Sequence, residues 1–158
     1  MKKVLAMILF VSMLLALVGC SGRIKMPYNG DIEFHKITLT IPIRFVRDST
    51  KSNADMWVFE RGGYAEYILV SRKDFEGDAA ASLEKYVEYM KGNGATSAII
   101  TFLEGSAVRS QYTKDDLLCQ EILFIQGDSV YAVALRGGTA DGFKEITDTV
   151  QFVAEPAA

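Results

Sequence analysis

Between Ser97 and Arg136 the chain offers four strand-length runs in succession: Ser97 to Leu103, Ala107 to Thr113, Leu117 to Gln126 and Val130 to Arg136. Only Glu104-Gly105, Lys114-Asp115-Asp116 and Gly127-Asp128-Ser129 interrupt them, and these are turn-forming residues. Parallel strands need crossovers of a dozen or more residues, so connections this short imply antiparallel pairing. Whatever else the chain contains must pack on that antiparallel sheet.

Upstream, Met56 to Arg61 and Tyr64 to Arg72 flank Gly62-Gly63, the composition of a two-residue hairpin turn whose central positions need positive φ. That register sets Arg61 against Tyr64, Phe59 against Glu66 and Trp57 against Ile68. Met56, Val58, Glu60, Ala65, Tyr67 and Leu69 then point the other way. Apolar residues on both faces predict a sheet covered on both sides, with an exposed aromatic patch as the other reading. Glu33 to Ile43 reads as a first strand, with Ile37, Leu39 and Ile41 on one face and Pro42 closing it. Phe45 to Asp55 is polar apart from Phe45 and Val46, and Arg47 to Asn53 within it reads as a mobile loop.

Ala79 to Lys91 spaces Leu83, Tyr86, Val87 and Met90 for the inner face of an amphipathic helix. Asp78 or Ser82 can cap its start, and Gly92 with Gly94 its end. Phe143, Ile146 and Val150 mark a second, short helix opening near Thr139 or Asp141, and Gln151-Phe152-Val153 a closing strand. Strands with one interior and one terminal helix give an α+β domain.

The amino terminus carries a different message. Lys2-Lys3 precedes an apolar run of about 15 residues, Val4 to Val18, which is short of the roughly 20 a membrane span needs but suits a signal sequence. Leu17-Val18-Gly19-Cys20 at its end resembles the bacterial lipobox. By that resemblance residues 1–19 are a signal peptide, Cys20 is lipidated and becomes the first mature residue, and residues 20–30 are the lipidated cysteine and a short tether. Ser21 in second place would permit outer-membrane sorting in a Gram-negative cell. Two or three acyl chains hold where one holds only weakly, so the protein would be anchored without spanning. The tether to Gly30 reaches at most about 33 Å. Residues 31–158 form one domain, its end from Ala154 frayed.

Of 17 basic and 20 acidic residues, loss of Lys2 and Lys3 leaves 15 basic, a mature net charge of −5. That balance does not suggest nucleic acid and gives no electrostatic help toward anionic headgroups. With Cys20 acylated, Cys119 stands alone, so there is no disulfide framework.

The order of segments, Ile37-Thr38-Leu39-Thr40-Ile41-Pro42, then Ser82-Leu83-Glu84-Lys85-Tyr86-Val87, then Asp128-Ser129-Val130-Tyr131-Ala132-Val133 leading to Phe143-Lys144-Glu145-Ile146, resembles the PsbP-like fold. The resemblance covers nearly all of the mature chain. It implies a central antiparallel sheet flanked by helices, a three-layer α/β/α sandwich serving as a binding scaffold. The extended basic amino terminus of the photosynthetic members is missing.

Catalytic signatures are sparse. His35 is the single histidine, and Gly105-Ser106-Ala107 lacks nucleophile-elbow spacing. Cys119 sits in an apolar strand, where a buried inert thiol is expected. No zinc spacing, calcium loop, phosphate loop or dinucleotide fingerprint appears, so no cofactor or metal is expected. The sequence therefore predicts a noncatalytic, membrane-anchored binding or assembly module whose partner is another envelope protein. A small-ligand receptor using Trp57, Tyr64 and Tyr67, with Phe59 beside them, is the alternative.

Overall fold

The computed structural model describes residues 25–27, 30–62 and 65–153. In chain order the elements are β1 (Lys25–Pro27), β2 (Gly30–Phe34), β3 (Ile37–Ile41), β4 (Phe45–Asp48), β5 (Met56–Arg61), β6 (Tyr67–Asp74), α1 (Ala79–Gly92), β7 (Thr96–Phe102), β8 (Gly105–Lys114), β9 (Leu117–Gln126), β10 (Ser129–Arg136), α2 (Ala140–Thr147) and β11 (Gln151–Phe152). They form an α+β fold of two antiparallel sheets and two helices. The larger sheet has eight strands in the order β1-β4-β5-β6-β10-β9-β8-β7, and the smaller has three in the order β11-β3-β2.

The meander from β7 to β10 stands where the sequence put it. Its tight turns lie at Leu103-Glu104 and Asp115-Asp116, all four residues having positive φ, the geometry that matches the twist of paired strands. Leu103 is a bulky residue in the left-handed region, a conformation that costs on the order of 1–3 kcal/mol. The first break is thus one residue earlier than Glu104-Gly105.

Four expectations change. The run Glu33 to Ile43 is not one strand: the chain reverses at His35-Lys36, and β2 pairs with β3 with Phe34 opposite Ile37. Arg47 to Asn53 is not all loop, because Arg47 and Asp48 belong to β4, which pairs with β5. The rest of that segment is clipped rather than loose. Asp48 Oδ1 accepts from Thr50 N (2.9 Å) and Thr50 Oγ1 (2.6 Å), while Ser52 Oγ donates to the Asp48 carbonyl (2.7 Å) and accepts from Val58 N (3.0 Å). Residues 25–27, read as tether, pair with β4 as an edge strand, where Pro27 is tolerated. Lastly, the β5–β6 connection is longer than Gly62-Gly63, so Phe59 faces Ile68 and Trp57 faces Val70. A slip of two residues keeps every side chain on its face, so the predicted division into two apolar faces survives.

Both faces are covered. On one, Ile122, Phe124, Tyr131, Val133 and Leu135 pack with Ile32, Phe34, Ile37, Leu39 and Ile41 of the small sheet and with Phe143 and Ile146 of α2. On the other, Leu83, Tyr86, Val87 and Met90 of α1 pack on Val108, Leu123 and Val130. The helices therefore lie on opposite faces, but the face that carries α2 is covered mainly by the strands of the small sheet, which is a coarser match to the expected helix-flanked sheet. Asp78 caps α1 by accepting from Ala81 N (2.9 Å), and Thr139 caps α2 by accepting from Gly142 N (3.1 Å).

Gly137 joins β10 to α2 at φ +77°, and a Cβ there would sit 2.9 Å from the Ala65 carbonyl oxygen. Its N–H donates to Leu118 O at 2.8 Å, so the backbone has little room to shift. Gly137→Ala is expected to cost about 1–3 kcal/mol, read as a lower denaturant midpoint at unchanged slope. An unchanged midpoint would show that the junction relaxes freely.

Candidate functional site

The polar residues that deserve a chemical reading lie in two rows across the face that bears α1. Strand register sets Tyr112, Cys119, Arg136, Tyr67 and Glu60 opposite one another in turn. The next row runs Ser97, Ser110, Glu121, Ala134, Leu69 and Val58. Glu121 is 2% exposed, in the middle of β9, with Gln120 as its buried polar neighbour. Its Oε1 accepts from the hydroxyl of Tyr86, which α1 lowers onto the sheet, at 2.6 Å. Burial pushes the Glu121 carboxyl up to about 7, against the smaller pull of the Tyr86 hydrogen bond. Burial likewise raises Tyr86 and Tyr112, and Glu121 adds to both shifts. Ser97 Oγ and Ser110 Oγ share a hydrogen bond of 2.9 Å beside them.

The other row ends in a charged corner. Arg136 Nη2 donates to Asp115 Oδ2 at 2.6 Å, and its guanidinium lies 5.6 Å from the Tyr67 ring centroid. The Tyr67 hydroxyl is buried with no hydrogen bond of ordinary geometry among the described residues, and burial raises its pKa. Cys119 is 2% exposed and burial pushes its thiol up, as expected of an inert core cysteine. A carboxyl near 7 marks a functional site when it opens onto a cleft. Here it is sealed between a helix and a sheet, and its chemistry is that of a polar pin between α1 and β9.

Of the proposed aromatic trio, Trp57 and Tyr67 are not brought together. Trp57 lies on the face toward the small sheet, with its ring edge-on to Phe34 (5.1 Å) and under the Arg47 guanidinium (3.9 Å). Tyr67 projects from the opposite face, beside Arg136, and Phe59 is fully buried. Tyr64 and Cys20 fall outside the described residues. His35 occupies the β2–β3 turn at φ +55°, its Nε2 2.9 Å from Ala54 O and 3.4 Å from Asp55 Oδ1.

A different concavity does exist. An open recess of about 460 Å³ lies where the β7–β8 turn meets β11, lined by Leu103, Glu104, Gly105, Gln126, Gln151 and Phe152. Sequence reasoning missed it because it joins residues about 50 positions apart. Glu121 was legible in principle as a carboxylate inside the apolar run Leu117 to Ile125. Among the described residues no group of His, Cys, Asp and Glu is placed to hold a metal ion, and no helix is long and apolar enough to cross a membrane.

No known family and no curated protein matches the chain. A crystal structure at 1.50 Å of a protein from Bacteroides thetaiotaomicron VPI-5482 superposes with a TM-score of 0.50 over 86% of this chain, at 14% identity. This chain spans 50% of that protein's length. At that identity the likeness is one of fold alone, and it places this α+β architecture among folds already seen.

Proposed function

We propose that this protein is a bacterial cell-envelope lipoprotein, held on the extracytoplasmic side by acyl chains on Cys20, whose single domain is a noncatalytic protein-binding or assembly module with an envelope protein as its partner. The observation that supports this best is β1. Lys25 already pairs with Asp48, so only four residues, 21–24, lie between the proposed lipidated cysteine and the sheet, at most about 17 Å of chain. A domain held that close to a bilayer suits neighbours on the same surface. We also read the fold as PsbP-like, with α1, the large sheet, and the small sheet with α2 as its three layers. The opposite placement of α1 and α2 supports that reading.

Full-length protein expressed in bacteria tests it. Cys20→Ser should move the chain from the membrane fraction to the soluble fraction and abolish the added lipid mass, and a variant that stays with the membranes would defeat the anchor. Crosslinking of the wild type in intact cells should then give a discrete heavier protein species. The second reading, a small-ligand receptor, draws on the recess beside Leu103, whose volume lies in the range of about 300–1,000 Å³ typical of ligand sites. A stoichiometric small molecule in the native mass spectrum, without any protein adduct, would put that reading first.

A further inference from the structure

The two sheets have four edges, and three are blunted against pairing. β1 has three residues and contains Pro27, β11 has two, and β2 carries exposed Asp31 and Glu33. The fourth, β7, is seven residues long, Thr96-Ser97-Ala98-Ile99-Ile100-Thr101-Phe102, without charge, proline or glycine. No described strand pairs with its outer side. Ile99, on that strand, is 45% exposed.

Which strand would fit there is constrained by geometry. Hydrogen-bonding groups alternate inward and outward along a strand, so two copies of one strand paired antiparallel about a two-fold axis must set one residue opposite itself. With Ile99 at that position, Ser97 faces Thr101 and Ala98 faces Ile100 across the axis, and Thr96 faces Phe102. No like charges meet, hydroxyl side chains face each other, and the two exposed Ile99 side chains cover one another. We propose that β7 pairs with β7 of a second copy about Ile99, joining the two large sheets into one. The proposal names the partner for the assembly reading above and rests on it. A strand pair of this length belongs with contacts below about 1,200 Å², weak in dilute solution. Confinement of both chains to one membrane raises their effective concentration.

The test uses full-length protein in its membrane. Ile99→Cys should give a disulfide-linked dimer on mild oxidation, because directly opposed residues on paired strands bring their Cβ atoms within disulfide reach. Glu145→Cys, at an exposed position on α2, controls for random collision, and Ile99→Cys should exceed it about tenfold. Ile99→Lys sets like charges at the axis and should abolish the dimer that chemical crosslinking captures for the wild type in the membrane. An Ile99→Cys yield no greater than the control would overturn the pairing, as would crosslinking to a different polypeptide. Cys20→Ser separates this from the anchor reading. If that variant leaves the membrane as expected while Ile99→Cys gives no excess, the pairing alone fails. If it stays with the membrane while the excess persists, the pairing holds and the anchor fails.

Discussion

Glu121→Gln is expected to flatten the pH dependence of stability between pH 4.5 and about 7, the ordinary and folded values of the Glu121 carboxyl. Below that window the side chain is protonated in both states. Within it the unfolded chain ionises while the folded one keeps its proton, so wild-type stability falls as pH rises, by about 1.4 kcal/mol per pH unit. Above it both states are ionised and the accumulated loss is about 3 kcal/mol. Glutamine can still accept from Tyr86 and has nothing to ionise, so the variant should gain on the wild type by about that amount between pH 4 and 8. Urea midpoints at constant slope would show it. Parallel wild-type and variant profiles would mean that Glu121 ionises freely and is not sealed. Asp48 acts in the opposite sense and a different window. Burial raises its carboxyl, but the Thr50 hydroxyl and N–H and the Lys51 ammonium outweigh that and hold it below 3.8. Its contribution is present above that value and lost only as pH falls through the lower folded one.

Phe124→Ala is expected to be the most damaging single truncation in the core. The ring is 2% exposed and stacks on Tyr131 at 5.5 Å, with Phe102 at 5.2 Å and Phe152 at 6.2 Å. It thus joins β7, β10 and β11 through one side chain, and its loss removes transfer energy and leaves a cavity that three separate elements would have to close. A cost of about 3–5 kcal/mol follows, a large share of the roughly 5–15 kcal/mol of a typical domain. Thermal unfolding should drop by roughly 10–15 °C, with Phe124→Leu losing much less. A drop of only a few degrees would show that the two sheets repack.

The legible parts of the fold were those whose signals are local. The meander, the capped helix from Ala79 and the short helix after Thr139 each carry their own periodicity and punctuation. The illegible parts were set by partners. β1 and β4 have only three and four residues, and neither shows an alternation long enough to read without the other. His35-Lys36 carries no turn signature, yet Phe34 and Ile37 on either side both belong in the core, and that demand bends the chain there. In the β5–β6 hairpin the glycines located the turn but not its length. The Trp57, Tyr64 and Tyr67 grouping treated aromatic content as a site, although strand alternation already assigned Trp57 and Tyr67 to opposite faces. The buried Glu121–Tyr86 pair needed α1 laid over β9, which no local pattern announces.

The short pairing of β1 with β4 also has a mechanical meaning under the anchored reading. Tension between the bilayer and a bound partner would reach this strand before any other, and it would meet three residue pairs beginning at Lys25 and Asp48. Opened in sequence, they would lengthen the leash from about 17 Å to about 33 Å while the rest of the domain stayed folded, so β1 would serve as a fuse that gives way under load and re-forms when the load is released.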